Sequence, residues 1–271
     1  MIKVGTSGFS FKDWRGTIYP DNLDPKDNLI YYQERLGFDC VEINATYYTL
    51  LSDKSFASME RKTGEGFEFV VKAYRGITHD PFDKRLADKK PDSAMAMENI
   101  DKFLYSIQPI KEKNKLGAVL LQFPVFFYPI RPFIEYLMSC KERFRDIPLV
   151  VEFRNRAWAK PGTFDFLRKN GLSYCAVDEP KLPRLMPFIN EVTSDIGYLR
   201  FHGRNTRWFN ATVDERYNYQ YSDEELRGFI PEIKEMNKKS EKMFVFFNNC
   251  HAGFAVKNAL SLLNLLNKAG E

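Results

Sequence analysis

Residues 149–154 have the sequence LVVEFR, an apolar run that ends in charge. Its apolar part, residues 149–151, is too short for a helix and rich in β-branched residues, so it predicts a buried β-strand over those residues. Successive side chains of a strand point to opposite faces, so Val150, Glu152 and Arg154 share one face. That face becomes polar only at its carboxyl end, which is the end where α/β barrels keep their chemistry.

The same pattern recurs along the whole chain. Seven more short apolar runs predict strands over residues 2–5, 40–43, 67–71, 118–121, 173–177, 198–201 and 243–247. Amphipathic stretches that predict helices separate them, over residues 26–36, 52–61, 97–107, 132–144, 163–169, 223–236 and 253–266, with a less regular one over 184–195. Parallel strands need such crossovers. Eight units without an obvious linker predict a single-domain (β/α)₈ TIM barrel over residues 1–271, rather than an open doubly wound sheet.

Composition agrees with a large α/β domain. The 271 residues are 44% hydrophobic and 15% aromatic, which suits a large core. The 40 Lys and Arg residues exceed the 36 Asp and Glu residues by four. This small excess permits an anionic ligand without requiring nucleic acid as the partner.

Cysteine usage and the chain start bear on the cellular compartment. The four cysteines are far apart and form no C-x-x-C pair, so we expect four buried thiols and a cytoplasmic location. The first residues lack the pattern of a secretory signal, and no apolar run approaches the roughly 20 residues that span a bilayer. A membrane partner is therefore not expected.

Polar side chains end seven of the eight predicted strands. They are Glu42, Asn44, Lys72, Gln122, Glu152, Arg154, Asp178, Arg200, His202, Arg204, Asn248 and Asn249. A closed ring of parallel strands brings these ends together, so they predict one pocket at the barrel mouth. The first strand ends in a small turn at Thr6, Ser7 and Gly8.

The residue types suggest acid–base chemistry on an anion. Glu42, Glu152 and Asp178 are candidate general acids or bases, and His202 is a candidate proton carrier. Basic residues suit a phosphate or carboxylate. The predicted ligand-binding residues are Lys72, Arg154, Arg200, Arg204, Asn44, Gln122, Asn248, Asn249, Trp14 and Tyr47.

Two other interpretations of these residues remain open. Glu152 with Arg154 or Arg200, and Asp178 with Lys72, can be structural ion pairs that plug the barrel mouth. Alternatively, Glu152, Asp178 and His202 can hold Mg²⁺ or Mn²⁺, although the chain has only three histidines.

Further candidates lie in the loops. His79 falls in a charged loop and is expected at the surface. The turn over residues 248–253, which precedes the last predicted helix, offers backbone N–H groups to an anion. The long connections over 7–25, 73–96 and 202–221 are expected to be functional or mobile. The second of them, which carries Lys84, Arg85, Lys89, Lys90 and Asp92, can alternatively be a solvated excursion. Many loop residues are aromatic, and they either stack on bases or sugars or pack into a lid. They are Phe9, Phe11, Trp14, Tyr47, Tyr48, Tyr74, Phe126, Phe127, Tyr128, Trp158, Trp208, Tyr217, Tyr219 and Tyr221.

An ordered set of strand-end motifs resembles the YecE-like family, known as domain of unknown function 72. The motifs are GTSGF at 5–9 with Trp14 and Tyr19-Pro20, VEIN at 41–44 with Tyr47-Tyr48, QFP at 122–124, EFR at 152–154 with Trp158, DEP at 178–180, HGR at 202–204 and FNN at 247–249. The likeness runs from Gly5 to about Leu266. It implies a TIM-type barrel without an established activity. The fold also resembles apurinic-endonuclease and sugar-isomerase barrels, but the many metal-binding histidines of the endonuclease group are missing here.

The main functional hypothesis is an enzyme for a phosphorylated sugar or nucleotide-like ligand, of the hydrolase, isomerase or lyase type. One alternative is a nucleic-acid-binding or endonuclease-like barrel. Another is a non-catalytic barrel that acts through partners. The first hypothesis predicts that alanine at Glu152 or Asp178 abolishes turnover without unfolding the protein.

Overall fold

The computed structural model describes residues 1–82, 91–207 and 212–269. Eight parallel strands form one sheet in the order β1-β8-β7-β6-β5-β4-β3-β2. Their bounds are β1 Ile2–Thr6, β2 Cys40–Ile43, β3 Glu68–Lys72, β4 Leu116–Gln122, β5 Leu149–Glu152, β6 Ser173–Asp178, β7 Ile196–Phe201 and β8 Lys242–Phe247. Each predicted strand is confirmed within one or two residues at each end. Strands that are buried on both faces have continuous apolar runs, which is why the sequence pattern alone located them.

Helices follow every strand except β6, and the longer ones cover the outside of the sheet. They are α1 Asn28–Glu34, α2 Ala45–Tyr48, α3 Asp53–Arg61, α4 Arg75–Thr78, α5 Ser93–Glu112, α6 Arg131–Phe144, α7 Pro161–Lys169, α8 Val213–Arg216, α9 Asp223–Lys238 and α10 Phe254–Lys268. The α9 start has the reciprocal capping bonds between Ser222 and Glu225 that its sequence predicts. The chain is a (β/α)₈ TIM barrel.

The helix predicted over residues 184–195 is wrong. This connection between β6 and β7 has no helix, and it contains three prolines at Pro180, Pro183 and Pro187. Proline lacks the backbone N–H and clashes with the preceding turn, so Pro187, the one of the three that lies inside the predicted range, breaks a regular helix there. The basic side chains Lys84, Arg85, Lys89 and Lys90 lie outside the described residues.

The barrel closes between β1 and β2 through a side chain rather than a full ladder. The only backbone bridge there among the described residues joins Ser7 and Glu42. The Tyr32 hydroxyl accepts from Thr6 N at 2.9 Å and donates to the Cys40 carbonyl at 3.2 Å. A Cβ atom on Gly5 would lie 2.5 Å from that carbonyl, so the close approach of the two strands requires glycine.

Charged side chains occupy both ends of the barrel interior. At the amino end of the strands, Glu68 lies between Lys3, at 3.2 Å, and Lys242, with which it forms an ion pair. All four cysteines are buried and free, as predicted. In the described part of the chain, no helix has the length and apolar character needed to cross a membrane.

Candidate functional site

Arg200 is the centre of a buried charge layer at the carboxyl end of the strands. Its Nη1 donates to Glu152 Oε2 and its Nη2 to Glu42 Oε1, both at 2.6 Å. All three side chains are completely buried. Tyr198 donates its hydroxyl to the other Glu42 oxygen at 2.6 Å. The predicted pairing of Glu152 with Arg200 therefore exists, and its members have no access to solvent.

His202 belongs to the same layer as a neutral imidazole. Its Nε2 lies 3.1 Å from Glu152 Oε1, and its Nδ1 lies 3.0 Å from the Asn248 amide nitrogen. Asn44 donates to Asn248 Oδ1 at 3.2 Å, which orients the Asn248 amide so that its NH₂ faces His202. Nδ1 therefore accepts, and the proton on Nε2 points to Glu152. Burial, with Arg154 nearby, holds the pKa of His202 well below its usual value.

Arg154 connects this layer to the barrel mouth. Its guanidinium lies 2.5 Å from Glu152 and 2.7 Å from Glu179, so two carboxylates hold it. Burial alone would raise the pKa of Glu152, but Arg154 and Arg200 outweigh it and keep that pKa well below normal. For Glu179 the balance is reversed. Burial raises its pKa to about 7 despite the Arg154 contact.

A cavity of about 460 Å³ opens above Arg154. Its described lining residues are Tyr47, Tyr48, Lys72, Arg75, His79, Gln122, Pro124, Val125, Arg154, Leu185, Arg216 and Tyr217. Four of them are cationic, and none of them is Asp or Glu. Such a lining favours an anion, because its charged members among the described residues are all basic.

Lys72, which is half-buried, differs from the lysines that are buried. Lys3 and Lys115 each lie within about 3 Å of a carboxylate. The Lys72 ammonium instead lies 4.4 Å from the Tyr47 ring centroid, with no hydrogen bond or ion pair to any residue the structure describes. Burial, followed by the positive charge of Arg200, lowers the pKa of Lys72 to about 7.

His79 lines the cavity, so its predicted surface position is wrong. Its ring packs edge-on against Tyr47 with centroids 4.9 Å apart, and Nδ1 lies 2.9 Å from the Thr78 hydroxyl. Burial, followed by the positive charges of Lys72 and Arg75, lowers the pKa of His79 to about 3. It is a neutral hydrogen-bonding group at physiological pH.

Asp178 and Arg204 lie away from the cavity, although the sequence grouped them with it. Asp178 accepts from Arg204 at 2.8 and 3.0 Å and from the Tyr221 hydroxyl at 2.6 Å. Neither Asp178 nor Arg204 is in the cavity lining. The suggested Asp178–Lys72 pair is therefore not formed.

The Mg²⁺ or Mn²⁺ set Glu152, Asp178 and His202 is not assembled either. The Asp178 oxygens are bound to Arg204 and Tyr221, while Glu152 and His202 lie in the buried charge layer. Over the described ranges, no three His, Cys, Asp or Glu side chains converge as metal ligands.

Three other predicted ligand contacts are placed differently. Trp14 is fully buried, and its indole N–H donates to the Cys250 carbonyl at 2.8 Å. Asn249 is also buried and donates to Tyr219 O and Asn258 Oδ1. In the turn over residues 248–253, Ala252 N donates to Asp13 Oδ2 at 2.6 Å, so a carboxylate of the chain occupies the expected anion position.

Some of the loop aromatic residues pack into the protein interior, and others line the cavity. Phe127 and Trp158 stack in a buried cluster with Phe123 and Phe153, with closest centroids 4.1 Å apart. Tyr47, Tyr48 and Tyr217 line the cavity instead. Trp208 lies outside the described residues.

Replacing Asp178 with alanine is expected to lower the free energy of unfolding by about 2 kcal/mol. The substitution leaves the buried Tyr221 hydroxyl without its acceptor, and the half-buried Arg204 keeps only its contact with Glu225. Urea unfolding measures the loss. A variant as stable as the native protein would show that the Asp178 contacts do not stabilise the barrel.

Comparison with known proteins identifies the family. The model for "Protein of unknown function DUF72" matches residues 3–271. The chain belongs to the DUF72 family. It is 32% identical to the UPF0759 protein YunF of Bacillus subtilis (strain 168), over 98% of this chain and 95% of that protein.

Two solved DUF72 structures agree with the barrel. A DUF72 family protein from Thermotoga maritima MSB8 has a TM-score of 0.89 and 43% identity, covering 98% of this chain and 99% of its own. A second, from Enterococcus faecalis V583, has a TM-score of 0.80 and 28% identity, covering 98% of each chain. The family description assigns no activity, so function has to be argued from the cavity.

Proposed function

We propose that this DUF72 protein is an enzyme that binds a small anionic ligand, a phosphorylated sugar or nucleotide-like molecule, at the barrel mouth. The observation that carries the proposal is the charge of the cavity. Lys72, Arg75, Arg154 and Arg216 line it, and no carboxylate does so among its described lining residues. Its volume of about 460 Å³ lies in the range of small-molecule sites.

The groups that reach the cavity suit proton transfer. Lys72 exchanges a proton near neutral pH because its pKa is about 7. Burial raises the pKa of Tyr47, so its phenol stays protonated and can donate. An amine and a phenol without a carboxylate to activate water favour an isomerase or lyase over a hydrolase.

The buried carboxylates act in this proposal through Arg154. Glu42, Glu152 and His202 are fully buried, so in this proposal they do not contact the ligand directly. Glu152 holds Arg154, and Arg200 holds Glu152. These residues are positioning residues for a cation that faces the cavity. The four buried thiols fit a reducing compartment, and we propose the cytoplasm.

Phosphate binding tests the anion site. We expect calorimetric titration of inorganic phosphate and ribose 5-phosphate at low ionic strength to give millimolar or tighter affinity, weakened by salt. Replacing Arg216 with alanine should weaken binding about tenfold, which corresponds to about 1.4 kcal/mol. Arg131, which is 89% exposed on α6, provides the matched control variant Arg131→Ala. Absence of binding by either compound at 10 mM would contradict the proposal.

A nucleic-acid partner is the second candidate. Tyr48 is 67% exposed at the cavity edge, where an aromatic ring beside cations suits stacking on a base. A single-stranded oligonucleotide added in the same titrations separates the two. Micromolar, steeply salt-dependent oligonucleotide binding without sugar-phosphate binding would replace the first candidate with this one. Binding of neither would favour a barrel that acts through protein partners.

A further inference from the structure

The placement of Lys72 is unusual for an amine whose only role is to attract an anion. It lies at the carboxyl end of β3, and its ammonium faces the Tyr47 ring in the cavity. No carboxylate among the described residues pairs with it, whereas Lys3 and Lys115 are paired. Desolvation without a counter-ion disfavours the charged form and leaves a larger share of neutral, nucleophilic amine.

We propose that Lys72 is a covalent nucleophile that forms an imine with the carbonyl carbon of an anionic aldehyde or ketone. The inference rests on the proposed anion site and deepens it, because it narrows the ligand to an oxo compound, such as the open-chain form of a sugar phosphate. The cationic wall formed by Arg75, Arg154 and Arg216 would hold the anionic group, and the amine would meet the carbonyl.

The step balances without any further reagent. The neutral amine attacks the carbonyl carbon, an N–C bond forms, and the π electron pair moves to oxygen. A proton passes from nitrogen to that oxygen, giving a carbinolamine. The hydroxyl then takes a second proton and leaves as water while the nitrogen lone pair forms the C=N bond. The Tyr47 phenol, over which the amine lies, can supply that proton because burial keeps it protonated.

The neighbours of Lys72 support this chemistry. The cations Arg200 and Arg154 face the amine from β7 and the end of β5, and Glu152 and Glu42 partly offset them. His79 and Tyr47 complete its surroundings within the cavity. With a pKa of about 7, Lys72 has roughly a thousandfold more neutral amine at pH 7 than a lysine of ordinary pKa.

Reductive trapping tests the inference. The full chain is incubated at pH 7 with pyridoxal 5′-phosphate, a phosphorylated aldehyde, and reduced with borohydride, and labelled peptides are mapped by mass spectrometry. We expect one label per chain, on Lys72, formed at least tenfold faster than on any other lysine. Pyridoxal, which lacks the phosphate, should label Lys72 at least tenfold more slowly. Inorganic phosphate should suppress the reaction.

Controls separate this inference from the anion proposal. Lys72→Arg should lose the label, and Lys54→Arg, on α3, should label like the native protein. Phosphate binding without a Lys72 label would overturn the imine and leave the anion site. Labelling of Lys72 that phosphate does not suppress would contradict the anion site instead. Labels spread over many lysines, unchanged by Lys72→Arg, would also overturn the inference.

Discussion

Replacing Arg200 with methionine is expected to lower the free energy of unfolding by about 3–5 kcal/mol. Arg200 alone bridges Glu42 and Glu152 at the centre of the barrel, with 2.6 Å contacts to both. Methionine would leave Glu42 without its cation and Glu152 with Arg154 only, and both carboxylates are fully buried. Urea unfolding followed by circular dichroism measures the loss.

Two further variants make the result specific. Arg131→Met removes an arginine from an exposed pair with Glu135, where the cost should stay below about 0.5 kcal/mol. Adding Glu42→Gln and Glu152→Gln to Arg200→Met should recover part of the lost stability, because it removes the unpaired charges. If Arg200→Met unfolds at the same urea concentration as the native protein, the buried charge layer does not stabilise the barrel.

Replacing Lys72 with methionine is expected to stabilise the protein near pH 7 by about 4 kcal/mol, because each pKa unit corresponds to about 1.4 kcal/mol. The pKa of Lys72 is about 7 in the folded protein and 10.5 in its ordinary state. Below pH 7 both the folded and unfolded chains carry the proton, and the folded chain bears the full desolvation cost. Between pH 7 and 10.5 the folded chain releases the proton while the unfolded chain keeps it, so that cost fades as pH rises.

The difference in stability between Lys72→Met and the native protein should therefore be largest at pH 6–7 and approach zero near pH 10. Buried thiols and phenols with raised pKa values also change the stability of both proteins above about pH 9. Their effects are the same in the two proteins, so they cancel when the two stabilities are subtracted. Exposed Lys54→Met is the control and should show no trend with pH. A Lys72→Met variant that is less stable than the native protein at pH 7 would show that Lys72 has a structural role.

The strands and the buried charge layer were predictable from sequence for one physical reason. A polar residue directly after an apolar run has to lie near a strand end, and parallel strands bring their ends together. Glu42, Glu152, Arg200, His202 and Asn248 meet as expected. Their depth was not predictable, because the sequence does not show which loops cover them.

The direction of side chains on β6 could not be predicted. Every residue of Ser173–Asp178 is buried, so no exposed face marks which side points inward. Asp178 looked like the strand-end residue, yet Glu179 contacts Arg154. Cys175, which lies 3.9 Å from Glu152, is on the same face of the strand as Glu179, but nothing in the sequence marks that face as the inward one. The cavity residues Arg75, His79 and Arg216 lie in or directly after short helices. A helix of four residues is too short to show a periodic pattern, so the sequence could not predict where these side chains lie.

The double hold on Arg154 has a consequence for ligand recognition. Arginine side chains usually lose conformational freedom when they grip an anion, and that entropy loss weakens binding. Here Glu152 and Glu179 fix the guanidinium before any ligand arrives. The N–H donors of Arg154 are therefore already oriented when an anion arrives, and the side chain has little left to reorganise during binding or reaction.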